Sequence, residues 1–86
     1  MLHSRFQTYH ADDQILFRYC YEPSHSDWRQ AFLDIVDGHT VLLARQRDGI
    51  ERHIVRVGRV VVVCVYDPET ATVITVLPPT ARSRRA

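Results

Sequence analysis

The apolar and polar positions in the first quarter of the chain predict extended structure. Residues 14–21 are dense in aromatic and branched side chains, which is typical of a strand. Residues 4–9 form a shorter run of the same kind, and the polar residues 10–13 between the two runs favour a turn. The chain is therefore expected to begin with an extended, hairpin-like segment.

One helix is predicted directly after this segment. Its apolar face consists of positions that recur three and four residues apart, namely Trp28, Ala31, Phe32, Ile35 and Val36. Ser26 is the expected N-cap, and Asp27 lies in the first turn, where the helix dipole favours a carboxylate. Gly38 is expected to end the helix, because glycine adopts the left-handed conformation at little cost.

From Thr40 onward the apolar period changes to that of strands. Strands are predicted over residues 41–47, 50–57, 60–66 and 72–77. Asp48-Gly49 and Gly58-Arg59 are typical two-residue hairpin turns, and residues 67–70 favour a type I turn. The predicted fold is α+β, with one main helix packed on a four-stranded antiparallel meander. Residues 1–79 form one domain in this interpretation, and residues 80–86 are a flexible basic tail.

The tight turns also predict which side chains share a face of the sheet. In this register Arg45 faces Arg52, His53 faces Cys64, and Cys64 lies beside Val73. One face is apolar and receives the helix, so that Trp28, Phe32, Ile35 and Val62 form the core. The other face has an apolar floor and an arginine cluster made of Arg45, Arg47, Arg52 and Arg56. Thr75 falls on the helix side.

The predicted pair of like charges, Arg45 and Arg52, requires an anion. Three sources are open: an internal carboxylate of Asp12, Asp13 or Glu22, a carboxylate of a partner protein, or an RNA phosphate. The apolar floor also needs a cover, since large apolar patches are seldom exposed on a monomer. We therefore expect either the N-terminal segment or a second copy to cover it, and we predict a homodimer.

The amino-acid composition limits the binding modes and the cellular compartment that we expect, but it does not identify a function. The 86 residues carry a net charge of only +1, so electrostatic binding has to come from local clusters. We expect Cys20 and Cys64 to be reduced and buried in a cytoplasmic protein, since no signal-peptide pattern opens the chain. The longest apolar run, residues 60–65, is too short to cross a membrane.

The polar residues suggest metal-free chemistry. The five histidines lack the spacing of a zinc site, and no cofactor is predicted. A metal-free ribonuclease needs arginines to neutralise phosphate and side chains that move or position protons. Arg45, Arg47, Arg52 and Arg56 are the candidate phosphate ligands. His53, Tyr66 and Thr75 are the candidate catalytic residues, with His39 as a further candidate. His53 can equally be a core histidine whose hydrogen bonds are satisfied internally.

The last half of the chain resembles a known group of small ribonuclease folds. A helix, a meander with arginines on its inner strands and the closing VVVVCVYDPETATVITVLPP resemble the barnase–EndoU–colicin–RelE group, and its toxin-like branch most closely. The resemblance implies metal-independent RNA cleavage on the sheet face opposite the helix. It places Arg45, Arg52 and Arg56 at the phosphate and matches Thr75 to a threonine of the last strand. Members usually have two helices before the sheet.

Three hypotheses follow from these observations. The first is a bacterial or phage toxin-like domain that binds RNA and acts as an endoribonuclease. The second is a non-enzymatic protein-binding module, such as a phage-type inhibitor or adaptor. The third is a structural homodimer joined through the apolar floor or an edge strand. The arginine cluster favours the first hypothesis, whereas the near-neutral net charge favours the other two.

Overall fold

A computed structural model describes residues 6–78, in which two helices precede an antiparallel sheet. The elements are α1 (Tyr9–Tyr19), α2 (His25–Val36), β1 (Val41–Arg45), β2 (Glu51–Val57), β3 (Val60–Asp67) and β4 (Thr72–Val76). The strands follow one another across the sheet in chain order, which confirms the α+β class and the four-stranded meander. The predicted basic tail lies outside the described residues. Neither α1 nor α2 has the length and apolar character that a membrane crossing requires.

The sequence predicts an extended N-terminal segment, but helix α1 occupies most of it. This is the largest difference between the predicted and the observed fold. Thr8 caps this helix, its hydroxyl accepting a hydrogen bond from the Ala11 N–H at 2.9 Å. Asp12 lies in the first turn and Arg18 in the last, where each complements the helix dipole. Cys20 ends the helix in the left-handed conformation, at φ 53°.

The helical period of α1 is hard to recognise because few of its residues face the core. Only Ala11 and Ile15 are buried, whereas the apolar side chains of Leu16 and Phe17 are exposed. Apolar residues on both sides of a helix resemble the dense apolar run of a strand. The extended prediction is correct only just before the helix, where Gln7 forms a parallel bridge with Val73 of β4.

Helix α2 was predicted correctly except at its start. Its N-cap is Ser24 rather than Ser26, and Ser24 forms a reciprocal capping box with Asp27. The Asp27 carboxylate also accepts a hydrogen bond from the Tyr21 hydroxyl at 2.6 Å. These bonds lower the pKa of Asp27, the Tyr21 bond most and the Ser24 backbone N–H next. The helix ends before Gly38, which has a φ of +78° as expected.

Both helices pack on one side of the sheet, which we call the helix face. Its core consists mainly of Ala11, Ile15, Trp28, Ala31, Ile35, Val55, Val57, Val62, Cys64, Tyr66, Val73 and Val76. Of the predicted core residues, Trp28, Ile35 and Val62 are buried, and Phe32 is half-buried against this cluster. Cys64 is buried and Cys20 exposed, so the prediction of two buried thiols was half right; both are free.

The register agrees with the prediction in one hairpin and differs in the other two. Across β2 and β3, His53 lies opposite Cys64, as the Gly58-Arg59 turn predicts. The β1–β2 connection is a three-residue loop instead, closed by a hydrogen bond from the Gly49 N–H to the Gln46 carbonyl. Because this loop has one residue more than the predicted turn, Arg45 lies opposite Glu51 rather than Arg52. Leu43 forms a bulge further along β1, so that Leu42 lies opposite His53.

A second bulge, in β4, changes the face of Thr75. Tyr66 lies opposite Val73, but the next pair is Val65 with Thr75, so Ile74 is the extra residue. Cys64 consequently pairs with Val76 and not with Val73. The bulge moves Thr75 to the side of the sheet opposite the helices, which we call the open face. The sequence pattern gave no sign of either bulge.

Gly58 lies so close to Tyr21 that a side chain at this position should reduce the stability of the domain strongly. Its φ is +63°, and a Cβ at this position would overlap the hydroxyl of Tyr21. Gly49 also has a positive φ, at +90°, but a Cβ there would have no neighbour within 4 Å. Gly58→Ala should therefore destabilise the domain by more than the roughly 1–2 kcal/mol that the left-handed conformation costs an alanine.

Gly49→Ala is the matched control, because it carries the conformational cost without the overlap. Urea unfolding of both variants measures the difference. Equal losses of unfolding free energy in the two variants would show that Tyr21 moves aside at no energetic cost, which would contradict the prediction.

Candidate nucleic-acid interface

The structure divides the predicted site residues among four places. Arg45, His53 and Tyr66 belong to the helix face. Arg52, Arg56 and Thr75 belong to the open face. Arg47 lies exposed in the β1–β2 loop, and His39 lies exposed between α2 and β1. The arginine cluster predicted from the sequence is therefore not present as one group.

Arg45 is neutralised by a carboxylate of its own hairpin. Its Nε donates a hydrogen bond to Glu51 Oε2 at 2.9 Å, and a second guanidinium nitrogen lies 2.8 Å from the same oxygen. Of the three anions considered for this arginine, an internal carboxylate was right, although none of the three named carboxylates supplies it. The Arg45 side chain is 62% exposed and that of Glu51 only 12%.

His53 is held between a hydroxyl and a carboxylate. Its Nε2 lies 2.8 Å from Glu51 Oε1, and its Nδ1 lies 2.7 Å from the Thr40 hydroxyl. A carboxylate can only accept, so Nε2 carries a proton in this pair, and the Thr40 hydroxyl can serve Nδ1 as donor or as acceptor. With both nitrogens engaged and 6% of the residue exposed, His53 has no free nitrogen to offer a substrate.

Thr40 and Glu51 complete this network, and the sequence analysis did not select either of them. A usable signal was present for Glu51, since it lies two residues before His53 on the same strand and thus on the same face. Thr40 precedes the first strand and gave no pattern of its own. The resulting chain of Thr40, His53, Glu51 and Arg45 ties the α2–β1 connection to the first hairpin.

Tyr66 is buried beside this network, in surroundings typical of a structural residue. Its ring contacts that of His53 edge to face, with centroids 6.0 Å apart. Burial, with the nearby charges of Glu51 and Asp67, raises the pKa of its phenol. The hydroxyl therefore keeps its proton at neutral pH. Burial likewise raises the pKa of the Cys64 thiol to about 12, so this sulfur is a poor nucleophile.

The open face brings together two arginines and a threonine over an apolar floor. Arg52, Val65 and Thr75 form one row across three strands. Strands are about 4.8 Å apart, which puts the Arg52 and Thr75 backbones about 10 Å apart. Arg56 is four residues from Arg52 on the same strand, about 13 Å away. The floor between these polar groups consists of Ile54, Val61, Val63 and Val65.

The charge of the open face is positive and unpaired. Arg52 and Arg56 are both exposed, and neither forms an ion pair with a residue in the described part of the chain. Asp67 also lies on this face by alternation; its carboxylate accepts a hydrogen bond from the neutral Glu69 N–H at 3.0 Å and keeps its negative charge, so Arg52, Arg56 and Asp67 together give the face an excess of one positive charge. This face can therefore bind an anion without first breaking an internal salt bridge.

The Glu51 network predicts a contribution to the pH dependence of stability. The hydrogen bond from His53, and after it the contact with Arg45, lower the pKa of Glu51 below its ordinary value of 4.5. A carboxylate whose pKa is lower in the folded than in the unfolded state stabilises the fold at pH values above its unfolded-state pKa. This stabilisation is lost as the pH falls through its folded-state pKa. We expect Glu51→Gln to flatten the loss of stability below about pH 4.5.

The matched control for this prediction is Glu69→Gln, since Glu69 is exposed in the turn after β3. Urea unfolding of the three proteins between neutral and acidic pH checks the expectation. An unchanged acid profile in Glu51→Gln would contradict the proposed electrostatic role of Glu51.

No metal centre is evident in residues 6–78, where no three histidine, cysteine or carboxylate side chains are grouped to hold an ion. Comparisons of the chain with protein-family models, with curated proteins and with solved structures find no match to any of them.

Proposed function

We propose that this domain binds single-stranded RNA through the phosphates, using Arg52 and Arg56 on the open face. The observation that carries the proposal is the β4 bulge, which puts the Thr75 hydroxyl on the same face as two arginines that have no carboxylate partner within residues 6–78. Guanidinium groups match phosphate geometry and remain charged at all physiological pH values. Thr75 adds a hydroxyl that can bond a phosphate oxygen or a ribose 2′-hydroxyl.

The composition of the open face favours contact with the RNA backbone over contact with the bases. Strand alternation assigns aliphatic residues, arginines, Thr72, Thr75 and Asp67 to this face, and it assigns no aromatic residue of the described strands there. Base stacking requires aromatic side chains, whereas phosphate contacts require cations. Binding should thus depend strongly on salt and weakly on nucleotide sequence.

The proposal is for binding rather than cleavage. The two general acid–base candidates, His53 and Tyr66, lie buried on the helix face, whereas the unpaired arginines are on the open face. Proton transfer requires hydrogen-bond contact with the reacting oxygen. Thr75 is the one candidate catalytic residue beside the arginines, and a neutral hydroxyl alone is a weak base. The endoribonuclease activity implied by the resemblance remains a prediction.

The order of the elements gives the proposal further support. With α1 in place, the described chain has two helices before a four-stranded meander, the order expected for the barnase–EndoU–colicin–RelE group. The expected RNA face of that group is the one opposite the helices, which corresponds to the open face. A toxin-like origin is therefore part of the proposal.

A nuclear magnetic resonance titration with a short single-stranded RNA tests the proposed surface. We expect the backbone amide signals of Arg52, Arg56 and Thr75 to shift as RNA is added, and those of α2 to stay in place. Changes confined to the helices, or no changes at low salt, would contradict the proposal. Intact RNA after incubation would separate binding from cleavage.

The predicted homodimer has a specific candidate surface in strand β1. This strand lies at the edge of the sheet, and its apolar side chains Val41, Leu42 and Leu43 are about half exposed. An exposed apolar edge can pair with the edge of a second copy. Light scattering should then give twice the monomer mass, and Leu42→Lys should reduce it to the monomer. A monomer at all concentrations would reject this prediction.

A further inference from the structure

The two edges of the sheet differ in how their backbones are covered. Strand β4 is bonded by the N-terminal part of the chain. The Thr8 N–H donates to the Val73 carbonyl, and the side chains of Arg18 and Tyr19 donate to carbonyls at and just after the end of the strand. At the other edge, all five residues of β1 are exposed, and within residues 6–78 only β2 pairs with this strand. Such an edge presents a row of N–H and C=O groups to which another strand can bond.

The side chains on both sides of the β1 edge are apolar. Val41 lies on the open face and is 57% exposed, and Leu42 lies on the helix face and is 45% exposed. Helix α2 packs mainly over β2, so it leaves Leu42 uncovered, and Val36 at the end of this helix is 51% exposed as well. A strand that paired with β1 would therefore bury apolar surface on both faces of the sheet in addition to forming backbone hydrogen bonds.

The sequence of β1 is complementary to an antiparallel copy of itself. Its one charged residue, Arg45, lies at the end of the strand and is already paired with Glu51. Antiparallel pairing centred on Leu43 matches all five residues of the two strands and puts Arg45 opposite Val41 of the second copy. The two arginines then lie at opposite ends, whereas parallel pairing would put these like charges side by side, which is destabilising. A second copy in the antiparallel direction is therefore the partner that fits this edge.

We infer that two copies pair through β1 into one eight-stranded sheet, whose joined open faces bind a single RNA. Antiparallel neighbours of this kind are related by a two-fold axis perpendicular to the sheet, which leaves both open faces on the same side. The inference rests on the RNA binding proposed above. It adds that each copy contributes arginines to the site of the other.

The register puts the arginines of the two copies at nearly even intervals. Arg52 pairs with Ala44 beside the bulge at Leu43, so it is nearly level with the two-fold axis. Three strand spacings of about 4.8 Å then separate the two Arg52 backbones, which amounts to about 14 Å. The distance from Arg52 to Arg56 within one copy is similar, at about 13 Å. A long RNA can thus meet four arginines in succession, and a short one only two.

A disulfide tests the pairing without RNA. Leu43→Cys, in a Cys20→Ser background that removes the exposed native thiol, puts two thiols opposite each other at the axis. Mild oxidation should then give a covalent dimer. Leu42→Cys in the same background is the matched control and should stay largely monomeric, because its two copies lie on either side of the axis, farther apart than a disulfide spans. Absence of the dimer in Leu43→Cys, or equal amounts from both variants, would overturn the inference.

Two RNAs test the shared site, one of about 4 and one of about 16 nucleotides, which are the limits of the usual range of site sizes for single strands. At concentrations where light scattering gives the dimer mass, the long RNA should show a steeper salt dependence. Its logarithmic slope should be larger by about 1.4, because it contacts two more phosphates. Leu42→Lys should remove this difference and leave binding of the short RNA unchanged.

The control variant is Leu16→Lys, which adds the same charge at a similarly exposed leucine of α1, away from β1, and should behave as wild type. Equal slopes of the two RNAs with the wild-type dimer would overturn the shared site alone. No binding of either RNA would overturn the proposed function as well, and the disulfide result would then still decide whether β1 pairs with its own copy.

Discussion

Replacement of Trp28 by alanine should reduce the free energy of unfolding by about 3–5 kcal/mol, the usual loss for a buried aromatic side chain. Trp28 is 1% exposed and has the largest of the fully buried side chains. Its indole also donates to Asp12 and so links α2 to α1. Because small domains are only about 5–15 kcal/mol stable, this loss should strongly reduce the yield of soluble protein.

Phe32→Ala is the comparison for this prediction. Phe32 is half-buried, and its ring lies between those of Phe6 and Tyr66, with centroid distances of 4.9 and 6.5 Å. It should therefore cost less than Trp28→Ala, although the sequence alone places both residues in the core. Chemical denaturation measures the two losses. A Trp28→Ala protein that unfolds at nearly the wild-type urea concentration would show that α2 does not pack as described.

The second large effect concerns RNA affinity. The double variant Arg52→Ala, Arg56→Ala should bind single-stranded RNA at least about tenfold more weakly, because each arginine supplies a charged hydrogen bond. Its stability should stay within about 0.5 kcal/mol of wild type, since both side chains are exposed and form no ion pair with the part of the chain that the structure describes. Fluorescence anisotropy and thermal unfolding of the same samples measure the two quantities.

Two single variants provide the controls. Arg29→Ala removes an exposed arginine from α2, on the helix side of the sheet, and should leave affinity unchanged. Arg45→Ala should also leave affinity nearly unchanged, but it should reduce stability slightly, because Glu51 loses its ion-pair partner. If Arg45→Ala weakened binding as much as the double variant, the arginines on the two faces would act together, and the open face would not be the site.

The strands and α2 could be predicted from the sequence because their signals are local. Trp28, Ala31 and Ile35 repeat at helical spacing, and Gly58 marks a tight turn that fixes the β2–β3 register. Helix α1 could not be predicted in the same way. Its outward Leu16 and Phe17 conceal the helical period, and their exposure depends on the tertiary arrangement.

The candidate site was predicted in part, and the errors have a common cause. One extra residue, in a loop or in a bulge, reverses the face of every strand residue beyond it. The three-residue loop between β1 and β2 places Arg45 on the helix face, and the bulge at Ile74 places Thr75 on the open face. The sequence thus identified Arg52 and Arg56 correctly as neighbours on one face, but it placed Arg45 with them and Thr75 on the helix side, and the structure reverses both placements.

The salt dependence of RNA binding tests the central claim most directly. For single strands, the logarithm of the affinity falls with the logarithm of the salt concentration by about 0.7 for each phosphate contacted. The account predicts a slope for the double variant Arg52→Ala, Arg56→Ala that is shallower than the wild-type slope by roughly 1.4, corresponding to two lost phosphate contacts. Equal slopes for the two proteins, or a wild-type protein that does not bind RNA at low salt, would contradict it.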